Sequence, residues 1–149
     1  MSASTLNPVQ QIAHPVIPRM REHLVDDLIS SGYQEEKAVV LIYELEKFLQ
    51  LCATSELAYR PSRQVDDAWH AFILRTADYA EYCDLLGGFI HHQPGEPSDV
   101  EATLGLRPTV EALLDAGLNP NLEVWANGQD GGCEAQCDPK CNVAPTPRF

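Results

Sequence analysis

Basic residues are scarce in this chain. Lysine and arginine together number 10 against 22 aspartates and glutamates, and the formal net charge is −12. The few cations are scattered along the sequence and form no basic cluster. A surface of this sign repels phosphate backbones and anionic lipid headgroups. We therefore expect neither a nucleic-acid partner nor a membrane partner.

Long hydrophobic runs are also absent. No apolar stretch approaches the roughly 20 residues that a membrane-spanning helix needs. The first residues have neither the basic start nor the hydrophobic core of a secretion signal. At 149 residues with 44% hydrophobic content, the chain is long enough to bury one core. The sequence thus predicts a single-domain cytoplasmic protein.

Common catalytic signatures do not occur. The sequence has no phosphate-binding glycine loop, no G-x-S-x-G turn and no H-E-x-x-H helix, so it indicates none of the enzyme classes that use them. A cysteine nucleophile with a histidine base stays open, through Cys83 and either His91 or His92. That pair needs a close approach in space which the sequence does not show.

Cysteines are few, and their number, five, is odd. An odd count in a reducing compartment argues against a complete set of structural disulfides. Three of them, Cys133, Cys137 and Cys141, recur at four-residue intervals near the end. Thiolates at this spacing could bind Zn²⁺ or Cu⁺ or form one disulfide, but the segment also fits a mobile tail with redox-reactive thiols, or a modification or recognition segment. Cys52 and Cys83 are predicted to be small buried apolar side chains.

What the sequence does contain is helical periodicity. We predict an all-α fold, a compact bundle of about five helices that occupies residues 16–126. An N-terminal arm over residues 1–15 precedes it, and an irregular flexible tail containing glycine, cysteine and proline follows over residues 127–149. The predicted helix starts are Pro18, Glu35, Ser62, Thr76 and Ser98.

Two of these boundaries have alternatives. Thr76 can cap a fourth helix that ends at Gly87, or a single helix can run from Ser62 to Leu86. Ser98 with Glu101 forms a capping-box pattern, after which Pro108 either restarts or kinks the helix.

Three of the five histidines gather around one segment. On a helix, Asp66 or Asp67 can lie beside His70, because residues three or four apart share a face. His91 and His92 follow the diglycine turn, and one of them could meet His70 if the chain doubles back. Adjacent residues in extended backbone point to opposite sides, so both are not expected to bind one ion. Imidazoles beside carboxylates are typical of a metal or proton-handling site.

Structural roles explain some of the same residues. For His70 the structural and functional interpretations carry equal weight, because an aspartate and a histidine can simply pair on a helix surface. Trp69, Phe72 and Ile73 are predicted to pack in the core.

The run from Pro61 to Leu74 contains V-D-x-x-W-H, and after Tyr79 and Cys83 it is followed by F-I-H-H-x-P ending at Pro94. These motifs resemble the glycine-rich domain-containing protein-like family in its bacterial form. The resemblance implies a small helical domain. Its motif positions are Asp66, Trp69, His70, Tyr79, Cys83, His91 and His92, to which the family lends no roles.

Our leading hypothesis is a metal-binding protein, with zinc as the expected cofactor, that uses His70, His91 or His92, and Asp66 or Asp67. The tail thiols would deliver the metal or complete its coordination. The first alternative is a non-enzymatic interaction module in which Trp69, the aromatic residues and the histidine segment form a groove for a peptide partner, and the Cys-bearing tail is a recognised tether. The second is a small metal-dependent enzyme that activates water at an open coordination position.

Overall fold

The structure is a computed structural model that describes residues 18–94 and 104–126, together with the backbone of 133–138. The predicted N-terminal arm and the Ser98–Glu101 capping box lie outside the described residues. Within them the chain is mainly helical, which confirms the predicted class. The elements are α1 (Pro18–Ser30), α2 (Glu35–Thr54), α3 (Arg63–Leu74), α4 (Thr76–Leu86), β1 (Phe89–Pro94), α5 (Arg107–Asp115), α6 (Leu122–Trp125) and β2 (Cys133–Asp138).

Helix α2 forms the centre of the bundle. Glu35 and Glu36 lie in its first turn, where the positive end of the helix dipole favours acidic side chains. Its apolar residues pack against α1 and α3, and many are completely buried. The fully buried core side chains contributed by α2 include Leu41, Ile42, Phe48 and Leu49.

Helices α3 and α4 are separate, so the alternative of one helix from Ser62 to Leu86 is wrong. Ser62 caps α3, because its side-chain oxygen accepts a hydrogen bond from the Val65 backbone N–H at 3.2 Å. The helix ends at Arg75, whose backbone angles, φ −94° and ψ 70°, are not helical. Gly87 then ends α4 in the left-handed conformation with φ 101°, as expected for a glycine after a helix.

A two-stranded antiparallel ribbon joins β1 to β2. Its register pairs Phe89 with Asp138 and Pro94 with Cys133. Neither strand was predicted from the sequence, and residues 133–138 fall in the segment predicted to be an irregular tail. Strand β1 also contacts α4, which precedes it, and α2. The ribbon thus lies against the helices and brings the histidine segment to them.

The C-terminal helices pack against the middle of α2. Pro108 lies in the first turn of α5, so it restarts a helix as the first alternative predicted. Helix α6, four residues long, was not predicted. Its Trp125 is 2% exposed, and the indole N–H donates to Glu44 Oε1 at 3.0 Å. Of the helices described here, none combines the length and the apolar character that a membrane crossing requires.

Candidate metal centre

Helix α3 supplies the first half of the site. Val65, Trp69 and Phe72 point into the core. Asp66 lies beside them on the helix, and its side chain is buried as well. Asp66 is 5% exposed, which is unusual for a carboxylate unless it is paired. His70 lies one turn further along, with Nε2 3.5 Å from Asp66 Oδ2. The predicted pairing of these two residues on one helix face is therefore present.

Strand β1 supplies the second half. Because strand side chains alternate, Ile90 and His92 share the face that meets the helices. Ile90 is completely buried, and His92 places its Nε2 2.9 Å from Asp66 Oδ1. The His92 ring also contacts the Trp69 ring, with centroids 4.3 Å apart. The tertiary fold thus brings a histidine 26 residues away onto the Asp66 carboxylate.

Together these residues form one cluster of three ligand atoms. One atom from each of Asp66, His70 and His92 lies within 4.8 Å of the others, and the two imidazole centroids are 4.4 Å apart. The side chains of Asp66 and His92 are 6% and 15% exposed, whereas that of His70 is 54% exposed. The cluster is therefore buried on two sides and open to solvent at His70.

The other two candidates in the segment have different surroundings. Asp67 accepts a hydrogen bond from the Tyr33 hydroxyl at 2.6 Å. Burial raises the pKa of Tyr33 above its usual range, and Asp67 adds to the rise, so the phenol stays protonated as the donor. His91 projects from the opposite face of β1, where its ring lies 5.0 Å from that of Phe89. The structure brings neither Asp67 nor His91 into the cluster.

The remaining motif residues lie in the core behind the cluster. Trp69 is completely buried, and its indole N–H donates to the Tyr79 hydroxyl at 2.9 Å. Tyr79 in turn donates to the Ile90 carbonyl oxygen at 2.5 Å. Burial raises the pKa of Tyr79 well above its usual value, and contact with Cys83 adds to the rise, so the hydroxyl remains a donor. Cys83 and Cys52 are buried, as predicted.

Comparison with protein families places these elements in a known sequence family. The UCP032817-like family model matches residues 14–111, which is more than half of the chain. The chain belongs to the UCP032817-like family. The matched range contains α1–α4 and β1, and hence all three residues of the cluster. Membership in the glycine-rich domain-containing protein-like family stays a prediction. Comparisons with curated proteins and with solved structures returned no match.

The tail cysteines lie beyond the part of this UCP032817-like chain that the family model matches. Cys133 and Cys137 belong to β2, and their register partners in β1 are Pro94 and Ile90. Cys141 lies outside the described residues. Their predicted role in metal or redox chemistry stays a prediction.

A surface groove adjoins the exposed side of the cluster. It has a volume of about 730 Å³ and lies between α1 and α3, where Tyr33, Asp67 and His70 line it. Arg75 lies on the same groove and donates to both carboxylate oxygens of Asp27, at 2.7 and 3.0 Å. Sequence reasoning did not identify Tyr33 or Arg75, because neither residue belongs to a local motif. His70 thus belongs both to the cluster and to the groove wall.

Proposed function

We propose that this protein binds one divalent transition-metal ion, with zinc as the first candidate, through Asp66, His70 and His92. A carboxylate and two imidazoles are common zinc ligands, and the same combination holds non-haem iron. The observation that supports this proposal most directly is the spacing of the three ligand atoms.

Two distances within the cluster are close to those that an ion requires. Bond lengths of about 2.0–2.2 Å around a tetrahedral zinc ion separate neighbouring ligand atoms by about 3.3–3.6 Å. The distances from Asp66 oxygens to the two imidazole nitrogens are 2.9 and 3.5 Å. The 2.9 Å distance is to Oδ1 and the 3.5 Å distance is to Oδ2, so the carboxylate would rotate or shift to present one oxygen to the ion.

Among the described residues, the buried Asp66 carboxylate also has no permanently charged cationic partner. Within the described part of the chain, its polar side-chain contacts are with His70 and His92, each of which is cationic only when protonated. A bound cation would compensate the charge of Asp66 while both imidazoles are neutral, which is the form that binds metals. The charge of Asp66 and the spacing of the three ligand atoms therefore both favour a bound cation.

The test is a set of matched substitutions in tag-free protein. Element analysis identifies the bound metal, and competition titration with Zn²⁺ gives its affinity. We expect His70→Ala, His92→Ala and Asp66→Asn each to weaken binding by roughly 100-fold or more, since even the loss of a group that only orients a ligand costs 10–100-fold. His91→Ala and Asp67→Asn are the controls, because each neighbours a ligand but lies outside the cluster.

Two results would contradict the proposal. The first is a wild-type protein that takes up no zinc or iron after reconstitution. The second is a loss of affinity in the control variants that equals the loss in the ligand variants. Replacement of Cys133, Cys137 and Cys141 by serine should leave the stoichiometry at one ion, and a loss of the ion in that variant would move the site to the tail.

A metal-dependent enzyme is the second candidate function. Catalytic zinc sites use three protein ligands and leave a position for water, whose pKa falls to about 7. The half-exposed side chain of His70 and the groove beside it favour this candidate over a closed structural site. Turnover of activated esters or phosphoesters that requires the metal and disappears in His70→Ala would support it.

The interaction module has less support from the geometry. Trp69 is completely buried, so it cannot line a surface groove for a peptide. A partner would have to use the groove at Tyr33 and His70 instead. Binding of a partner by metal-free protein would favour that hypothesis over both metal hypotheses.

A further inference from the structure

The Tyr79 hydroxyl connects the two elements that carry the cluster. It accepts from the indole N–H of Trp69 at 2.9 Å and donates to the carbonyl oxygen of Ile90 at 2.5 Å. Trp69 precedes His70 directly on α3, and Ile90 lies two residues before His92 on β1. One hydroxyl group on α4 therefore links the helix and the strand that must meet to form the cluster.

The aromatic packing around this group leaves little freedom. The Tyr79 ring stands edge-on to Phe72 of α3 at 5.1 Å and to Phe89 of β1 at 5.4 Å. The Trp69 ring, whose N–H the hydroxyl accepts, is itself in contact with the His92 ring. Tyr79 is 2% exposed, so water does not compete for its hydrogen bonds to Trp69 and Ile90.

We infer that Tyr79 is a positioning residue for the metal centre, an inference that rests on the proposed function. Its hydroxyl sets the separation of α3 and β1, and this separation fixes the distance from the His92 imidazole to Asp66 and His70. Without the hydroxyl, the Trp69 N–H and the Ile90 carbonyl lose their shared partner in a buried place, and β1 shifts away from α3. The ligands would then no longer be preorganised, and the ion would have to draw them together.

Tyr82 offers a matched control on the same helix. It is 1% exposed, and its hydroxyl has no hydrogen-bond partner among the described residues. Tyr79→Phe and Tyr82→Phe therefore remove the same atom from two buried tyrosines of α4. Only the first of these atoms connects the ligand-bearing elements.

The experiment measures Zn²⁺ affinity by competition, and the visible spectrum of the Co²⁺-substituted protein, for both variants and wild type. We expect Tyr79→Phe to weaken Zn²⁺ binding by about 10–100-fold, as for other groups that orient metal ligands, and to change the Co²⁺ ligand-field bands. Tyr82→Phe should leave the affinity within about twofold and the spectrum unchanged. Circular dichroism checks that each variant is folded at the temperature of the titration.

A merely structural role for Tyr79 would give a different result. The variant would unfold at a lower temperature, while the folded protein would keep wild-type Zn²⁺ affinity and an unchanged Co²⁺ spectrum. That outcome overturns the inference and leaves the metal site intact. Failure of wild type itself to bind zinc or cobalt would instead overturn the proposed function and the inference together.

Trp69→Phe tests the same hydrogen-bonded link between α3 and β1 by removing the donor to Tyr79 instead of the Tyr79 hydroxyl. It removes the N–H that Tyr79 accepts and keeps an aromatic ring in the core. We expect the same direction of change in affinity and in the Co²⁺ spectrum, so the inference stays testable if Tyr79→Phe does not fold. Wild-type values for a folded Trp69→Phe variant would count against the link.

Discussion

Glu44 and Asp66 are two of the almost completely buried carboxylates in the described part of this protein, and they differ in what surrounds them. Glu44 accepts from the Lys47 ammonium at 2.7 Å, from the Asn121 backbone N–H at 2.9 Å and from the Trp125 indole at 3.0 Å. Lys47 also donates to the Asn119 carbonyl oxygen at 2.9 Å. Glu44 thus fixes the C-terminal helices to α2.

Asp66 has only imidazoles in the corresponding places. The ammonium, indole and backbone N–H groups around Glu44 act only as donors, whereas an imidazole nitrogen can act as a donor, an acceptor or a metal ligand. A buried carboxylate with permanent donors is therefore a structural element, and one with exchangeable partners is a candidate site. The degree of burial alone does not separate the two cases.

The largest effect should follow from Glu44→Gln. The amide keeps the shape and can still accept from Asn121 and Trp125, but it leaves the buried Lys47 ammonium without its counter-charge. We expect the free energy of unfolding in urea to fall by about 3–5 kcal/mol, as for other broken buried pairs. The exposed Glu123→Gln change is the control. A loss below about 1 kcal/mol would mean that Glu44 is not the structural member of the comparison.

The next effect should appear in Asp66→Asn, and only when metal is present. Metal-free variant and wild type should differ by about 1 kcal/mol, the contribution of an ordinary hydrogen bond. Wild type should gain about 2.7 kcal/mol at a free metal concentration 100 times its dissociation constant, and the variant, which binds at least about 100-fold more weakly, should gain about 0.4 kcal/mol or less. Thermal unfolding with and without Zn²⁺ measures both quantities. Equal metal-induced gains in the two proteins would remove the distinction between Asp66 and Glu44.

The smallest effect should come from Arg75→Ala. This substitution breaks the ion pair between Arg75 and Asp27. The side chain of Arg75 is 34% exposed and that of Asp27 is 36% exposed. Exposed pairs contribute about 0–1 kcal/mol, so we expect a small loss of unfolding free energy that shrinks further in high salt. Zn²⁺ affinity should not change. If Arg75→Ala lowered the free energy of unfolding as much as Glu44→Gln does, burial of the paired carboxylate would not determine how much an ion pair contributes to stability.

Much of the helical framework could be predicted because its signals are local. The cap at Ser62 and the turn at Gly87 act on their own neighbours, and the pairing of Asp66 with His70 follows from helix geometry alone. Pro108 similarly marks a helix start through its own ring. These features need no knowledge of the rest of the fold.

The remainder depends on distant contacts. The β1 and β2 sequences, F-I-H-H-Q-P and C-E-A-Q-C-D, lack strong strand patterning, and each gains a partner only from the other. Which of His91 and His92 reaches Asp66 is set by the face that β1 turns toward the helices. Glu44 and Lys47, three residues apart, have the spacing of an ordinary surface pair on a helix. Only the packing of Asn119 and Trp125 over them makes that pair buried.

The register of the ribbon has a consequence for biosynthesis. Phe89 pairs with Asp138, so β1 leaves the ribosome well before the strand that completes its ladder. During that interval the backbone N–H and C=O groups along one edge of β1 have no intramolecular acceptor or donor from β2, and open strand edges invite pairing with other nascent chains. We therefore expect nascent chains that lack residues 133–138 to aggregate through β1 more readily than chains that contain them.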